Sequence, residues 1–233
     1  MLVGRVHVLT RYPVKSMLGE VLPEVAVDER GVVADRRWAV YTTDGGIGSG
    51  KTTRRFRRVD GLLQCRATLG AMPEPQIALP SGSSHRAGDP ATGEALSELL
   101  ERPVQLRPET DVRHHDESAV HLVTTASVQH LGDLTGSPVD ASRFRANVVI
   151  DTDAEGFAED DWTGRELAVG DTVVLALGPG MPRCVMVDAP GPGGAPQPRL
   201  LKVLSGVHDL RFGLQATVRH AGTIRTGDVA RLL

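Results

Sequence analysis

The chain has 233 residues, of which 40% are hydrophobic and 24% charged, with a formal net charge of −3. That balance suits a globular fold with ample core and lacks the basic excess that a nucleic-acid partner would require. No apolar run approaches the roughly 18 residues that cross a bilayer, and MLVGRVHVLT lacks a signal-peptide core, so a cytoplasmic chain without a membrane partner is expected.

The first 80 residues read as strands and turns. GRVHVLTRYPV alternates apolar and polar with period two, as a half-buried strand does, and Pro13 suits its end. PEVAVDERGVVADRRWAVYTTDGG predicts two strands joined around Gly31, and GLLQCRATL another, with Cys65 buried in it. PSGSSHRAGDPATG, residues 80–93, is a loop by composition; EALSELLERP then has helical spacing. HLVTTASVQHLGDL predicts a strand passing into a helix, with Thr124 or Thr125 as N-cap. FRANVVID, ELAVGDTVVLALG, RCVMVD and GLQATVRHAGTIRTGDVARLL return to strand patterning, and APGPGGAPQP, residues 189–198, reads as a flexible surface loop. Two helices emerge. The chain is expected to be mainly β.

DGGIGSGKTT, residues 44–53, satisfies the G-x-x-x-x-G-K-[ST] pattern of nucleotide hydrolases. That chemistry needs a helix N-terminus after the loop and β-α-β alternation around it. TRRFRRVDG has only Phe56 and Val59 to bury as a helix, and the surroundings are strands, so the motif reads as a mimic built on a hairpin turn at Asp44-Gly45-Gly46.

Three other segments carry more chemistry. YPVKS sets Lys15 and Ser16 on what reads as an exposed turn, and DRRW adds Arg36 at a strand start. Lysine, serine and arginine together make a clamp for an oxyanion. RFRANVVID supplies Arg143, Arg145 and Asn147, whose amide offers a donor and an acceptor to a ring edge. GPGMPRCVMVD presents Cys184 after a Gly/Pro turn and beside Arg183, and a neighbouring cation favours the thiolate that attacks or binds metal. The two cysteines are expected to stay reduced. His114-His115-Asp116 reads as a solvated loop rather than a metal site, and AEDDW as an acidic surface stretch.

In this order, YPVKS, GVVADRRWAV, HLVTTASV, RFRANVVID, FAEDDWTGRELAVGDTVVLALGPGMPRC and AGTIRTGDVARL resemble MOSC-domain proteins that carry the preceding MOSC N-terminal β-barrel. That family includes the mitochondrial amidoxime-reducing component and the C-terminal domain of molybdenum cofactor sulfurase. The resemblance implies a mainly β, barrel-like fold with a few short helices, the N-terminal barrel at residues 1–88 and the MOSC domain at 89–233. It implies a molybdenum cofactor (Mo-molybdopterin), with Cys184 as metal ligand and catalytic residue. Lys15, Ser16, Arg36, Arg54, Thr124, Thr125, Ser127, Arg143 and Asn147 would hold the cofactor's phosphate and pterin. Arg54 stands where relatives have a Thr-x-Arg-x-x-Pro pattern and this chain has GSGKTTRRFRRV. A family-level association with pyridoxal phosphate comes with it. The implied activity is reduction of a small N-oxygenated substrate. No cysteine cluster for iron–sulfur binding is present, so electrons are expected from a separate donor protein. The alternative is a carrier that delivers the cofactor, or sulfur, through Cys184.

Overall fold

A computed structural model describes residues 1–70, 73–190 and 198–233; most of the 189–198 loop expected above lies outside them. The chain is mainly β, with three α-helices among the described residues. Ten strands precede the first helix: β1 (Leu2–Arg11), β2 (Glu20–Leu22), β3 (Glu24–Asp28), β4 (Gly31–Val32), β5 (Trp38–Thr42), β6 (Ile47–Ser49), β7 (Phe56–Arg58), β8 (Arg66–Thr68), β9 (Gln76–Ala78) and β10 (Ser84–Arg86). Helix α1 (Pro90–Leu99) starts inside the segment expected to be a loop. Asp89 caps it by accepting from the Ala91 N–H, and a proline follows at the first helical position, where its missing N–H costs nothing. Then come β11 (Val104–Pro108), β12 (Val120–Thr124), α2 (Thr125–Thr135), β13 (Val148–Asp151), β14 (Glu166–Val169), β15 (Val173–Pro182), α3 (Leu200–Val207), β16 (Arg211–His220), β17 (Gly222–Arg225) and β18 (Val229–Leu232).

Seven strands close into a barrel. The order β13-β12-β16-β15-β14-β18-β1 returns to its start because β1 also pairs with β13, and β2 extends β1 outside the ring. Closure leaves the ring without a free edge. Alternation along the strands sorts the core: Leu122, Val148 and Ile150 join an interior cluster with Leu167, Leu175 and Leu232, while Val123 and Val149 face out against Leu131, Phe144, Leu200 and Leu204 of the helical side. A second core, built on Met17, Val40, Leu62, Ile77 and Leu96, belongs to the N-terminal sheets. Segments from both sides of residue 88 share sheets: β1 completes the barrel, β17 pairs with β3, and β11 pairs with β5.

Local structure departs from the sequence reading in four places. RCVMVD is a 3-10 turn over Val185–Asp188, not a strand, because Cys184 and Val187 close it by a backbone bond of 3.1 Å. GLLQCRATL opens with a 3-10 turn and strands only from Arg66, although Cys65 is fully buried as expected. Helix α3 was hidden by its brevity. The Gly/Pro stretch before Cys184 continues β15 rather than turning. The G-x-x-x-x-G-K-T segment, residues 45–52, contains β6 and leads to β7, which pairs with β6 in parallel, so a strand and not a helix follows it. No helix among the described residues is long and apolar enough to cross a membrane.

Candidate functional site

Strand β1 finishes, and β12 and β13 begin, at one end of the barrel, and Arg183, after β15, reaches it through His121. The N-terminal sheets lie against that end: the β1–β2 connection, Asp35–Arg37, the loop after β6 and residues 113–118 all reach it. Between them is a cavity of about 100 Å³, lined by Arg36, Lys51, His115, Asn147 and Arg183 among others.

Arg145 decides its character. It sits in the left-handed conformation (φ 55°) that ends a 3-10 turn over Ala141–Phe144, and this turns its side chain under the Tyr12 ring, 4.3 Å from the centroid. One guanidinium nitrogen donates to the Met17 carbonyl; the other, Nη2, is buried with no hydrogen-bond partner among the described residues. Burial, reinforced by Arg36, lowers its pKa to about 10. Arg36 also lies over the Tyr12 ring, 5.0 Å from the centroid, and donates to Asp35 and to the Arg145 carbonyl. Burial alone would raise the Asp35 carboxyl, but Arg36, His115 and the Tyr12 N–H hold it at about 2, so it stays ionised. Arg183 donates to the carbonyls of Phe144 and Phe212 and to His121 Nε2 at 2.5 Å. Burial lowers Arg183 to about 9, opposed by the neighbouring Cys184; burial and Arg183 push His121 well below its usual range, leaving a neutral imidazole able to accept that bond.

Lys15 is not on an exposed turn: it is 3% exposed, its Nζ lies 2.8 Å from Asp116 and 4.4 Å from the centre of the Phe56 ring. Burial lowers it to about 8, against the pull of Asp116. Ser16, equally buried, donates to the Gly48 carbonyl. Asn147 reaches the cavity wall, but its amide already bridges the Thr10 carbonyl and the His121 N–H.

The remaining expected residues stand apart from the cavity. Arg54 is exposed in the loop before β7, while its neighbour Arg55 donates to the Arg113 and His115 carbonyls. Thr124 caps α2, and with Ser127 it donates to Glu159; Thr125 donates to Asp151. Arg143 grips the Val187 and Pro198 carbonyls and Asp188, so it fixes the turn that follows Cys184. Cys184 is half-buried between that turn and Arg183.

Two acidic or histidine stretches are corrected. Glu159 of AEDDW is 1% exposed rather than a surface carboxylate, and burial raises its pKa. His114 and His115 are buried rather than solvated: His114 meets the Tyr41 hydroxyl at 2.9 Å, and His115 Nε2 faces Asp35 at 3.5 Å. Neither was legible, because the burial of these polar side chains depends on partners far away in sequence. A larger concavity of about 710 Å³, walled by Val8, Val128, Val139 and Val149, shares no lining residue with the cationic cavity.

A closed barrel capped at one end by a second set of sheets, with a cationic cavity where they meet and a half-buried thiol nearby, defines a class of two-part β proteins. Residues 109–231 match the MOSC domain and residues 3–87 the MOSC N-terminal beta barrel domain; the chain belongs to the MOSC domain family. Mitochondrial amidoxime-reducing component 1 of Homo sapiens is 25% identical over 99% of this chain and 83% of its own length. The rat mitochondrial amidoxime reducing component 2 is 26% identical over 97% and 82%. Molybdenum cofactor sulfurase of Drosophila grimshawi is 25% identical over 88% of this chain, which spans 31% of that protein. Among solved structures, the YUAD protein of Bacillus subtilis shares the fold, with a TM-score of 0.52 and 14% identity over 98% of this chain and 94% of its own.

Proposed function

We propose that this chain binds a molybdenum cofactor and reduces N-oxygenated small molecules with electrons from a separate donor protein. The observation that carries the reading is the unpartnered Nη2 of Arg145, buried in a cationic cavity at the barrel end where Cys184 stands. An uncompensated buried cation is costly unless a ligand completes it, and a phosphate oxygen does so with a charge-assisted bond. The names of the relatives supply the chemical class. The donor set fits: arginines and a lysine for the phosphate, and a soft thiolate for the metal.

When bound, the cofactor supplies two-electron chemistry that removes the oxygen of an N–O bond: an N-hydroxylated compound, two electrons and two protons give the N–H compound and water. The chain's own residues hold and orient. Arg145 and Arg36 neutralise the phosphate, and Lys15 is a further cation at the same place. Cys184 ligates the metal from a backbone held by the Arg143–Val187 bonds at 2.6 and 2.9 Å. Arg183, through Phe144 and Phe212, ties the residue before Cys184 to the barrel rim.

Turnover is the test. Protein from a cofactor-competent host, given reduced methyl viologen, is expected to convert benzamidoxime to benzamidine, and Cys184→Ala to abolish it. Metal-loaded protein that never turns over N-hydroxylated compounds would instead be a carrier.

A further inference from the structure

The cationic cavity has a neighbour of different character. A groove of about 630 Å³ runs between the segment 58–64 of the N-terminal sheets and the turn after Cys184. Its apolar lining comes from Leu62, Leu63, Val185 and Met186, and its volume lies in the range of small-molecule sites, roughly 300–1,000 Å³. Val185 is 49% exposed, an apolar side chain left open immediately beside the thiol.

Neighbouring residues of the chain line the two concavities at two points. Lys51 lines the cavity and Gly50 the groove; Arg183 lines the cavity and Val185 the groove. Cys184 is the residue between the last pair, so it stands at the partition. The nucleotide-loop mimic also reaches the groove. A Cβ on Gly50 would lie 2.2 Å from the Met186 sulfur, so the Met186 side chain packs directly on the glycine across the groove.

We infer that this groove seats the body of the substrate while the reacting N–O group lies at Cys184, and that it selects an N-hydroxylated compound with an apolar body and no positive charge. The inference rests on the reading that Cys184 ligates the metal. The charge argument comes from the rim. Arg58 is paired with Asp60 at 2.9 Å, and Asp188 with Arg143 and the Leu200 and Leu201 amides. Both lining carboxylates are paired, whereas Arg199 makes no ion pair among the described residues and stands as an unpaired cation on the rim. A cationic substituent is repelled there, and a phenyl or branched alkyl group gains burial against Leu63, Val185 and Met186.

The experiment compares benzamidoxime, acetamidoxime and 4-(aminomethyl)benzamidoxime on wild type, Val185→Asp, Leu63→Asp and Arg199→Glu. Both aspartate variants are expected to raise KM for benzamidoxime about ten-fold, leaving acetamidoxime, which has only a methyl group, within about two-fold. Arg199→Glu is expected to lower KM for the ammonium compound and leave benzamidoxime unchanged. Saturation-transfer NMR on cofactor-free protein gives a second readout: phenyl signals of benzamidoxime in wild type, weakened in both aspartate variants. Equal KM shifts for both amidoximes, or phenyl signals that persist in both variants, would overturn the groove assignment. Metal-loaded wild type that reduces none of the compounds, yet shows phenyl signals lost in Val185→Asp, would sink the reductase reading and leave the groove standing.

Discussion

Along β12, Leu122 points into an interior shared with Leu175 and Ile150, whereas His121, one residue earlier, accepts a bond from Arg183 at the barrel rim. The interior is built by shedding water from apolar surface, and closure of the ring leaves it no polar edge to satisfy. The rim follows the opposite rule. It gathers Arg36, Arg145 and Arg183, lowers the pKa of the last two by burial, and leaves one guanidinium nitrogen unpartnered. Such a cluster is a liability to the fold, and under the proposed function its rationale is the cofactor's phosphate.

That contrast can be broken by substitution. The largest effect is expected in the interior: Leu122→Ala or Leu175→Ala should each cost about 2–5 kcal/mol in urea unfolding, without changing the phosphate affinity of the folded protein. At the rim the sign reverses. Arg145→Met should stabilise the ligand-free protein by about 1–4 kcal/mol, and titration calorimetry with inorganic phosphate should show binding lost. A destabilised Arg145→Met that still binds phosphate would contradict the comparison.

Smaller effects sharpen it. Burial places folded Lys15 at about 8 against 10.5 for the free side chain, so between pH 8 and 9 the unfolded chain holds the proton that the folded chain releases. Stability should therefore rise with pH across that unit by about 1 kcal/mol, with Arg183, lowered to about 9, contributing in the same direction. Lys15→Met should flatten the rise in chemical unfolding curves taken at the two pH values. Least of all, Arg58→Ala should change stability by less than ~0.5 kcal/mol, because its pair with Asp60 is exposed on both sides.

Much of the architecture was legible. Period-two alternation marked β1, strand-like runs marked β12 and β13, and of the two threonines offered as the cap of α2 it is Thr124 that caps it. The pattern could not say which face of a site residue looks where. RFRAN offers two arginines two positions apart; only the left-handed turn at Arg145 sends that side chain to the cavity and leaves Arg143 holding Val187. Lys15 and Ser16 were read as exposed because charged residues after a strand end are usually solvated; the N-terminal sheets that cover them come from residues 30 to 100 positions later. Glu159 was lost among its acidic neighbours, because nothing local distinguishes the one carboxylate that meets Thr124 and Ser127. RCVMVD looked like a strand because a short apolar run has no period of its own.

The central claim is that the rim holds a molybdenum cofactor through Cys184. Its most direct measurement is molybdenum per chain, by elemental analysis, for wild type and Cys184→Ala purified from a cofactor-competent host. Near-stoichiometric metal in the wild type and its loss in the variant is the predicted result. No metal in either protein, or equal metal in both, would contradict it.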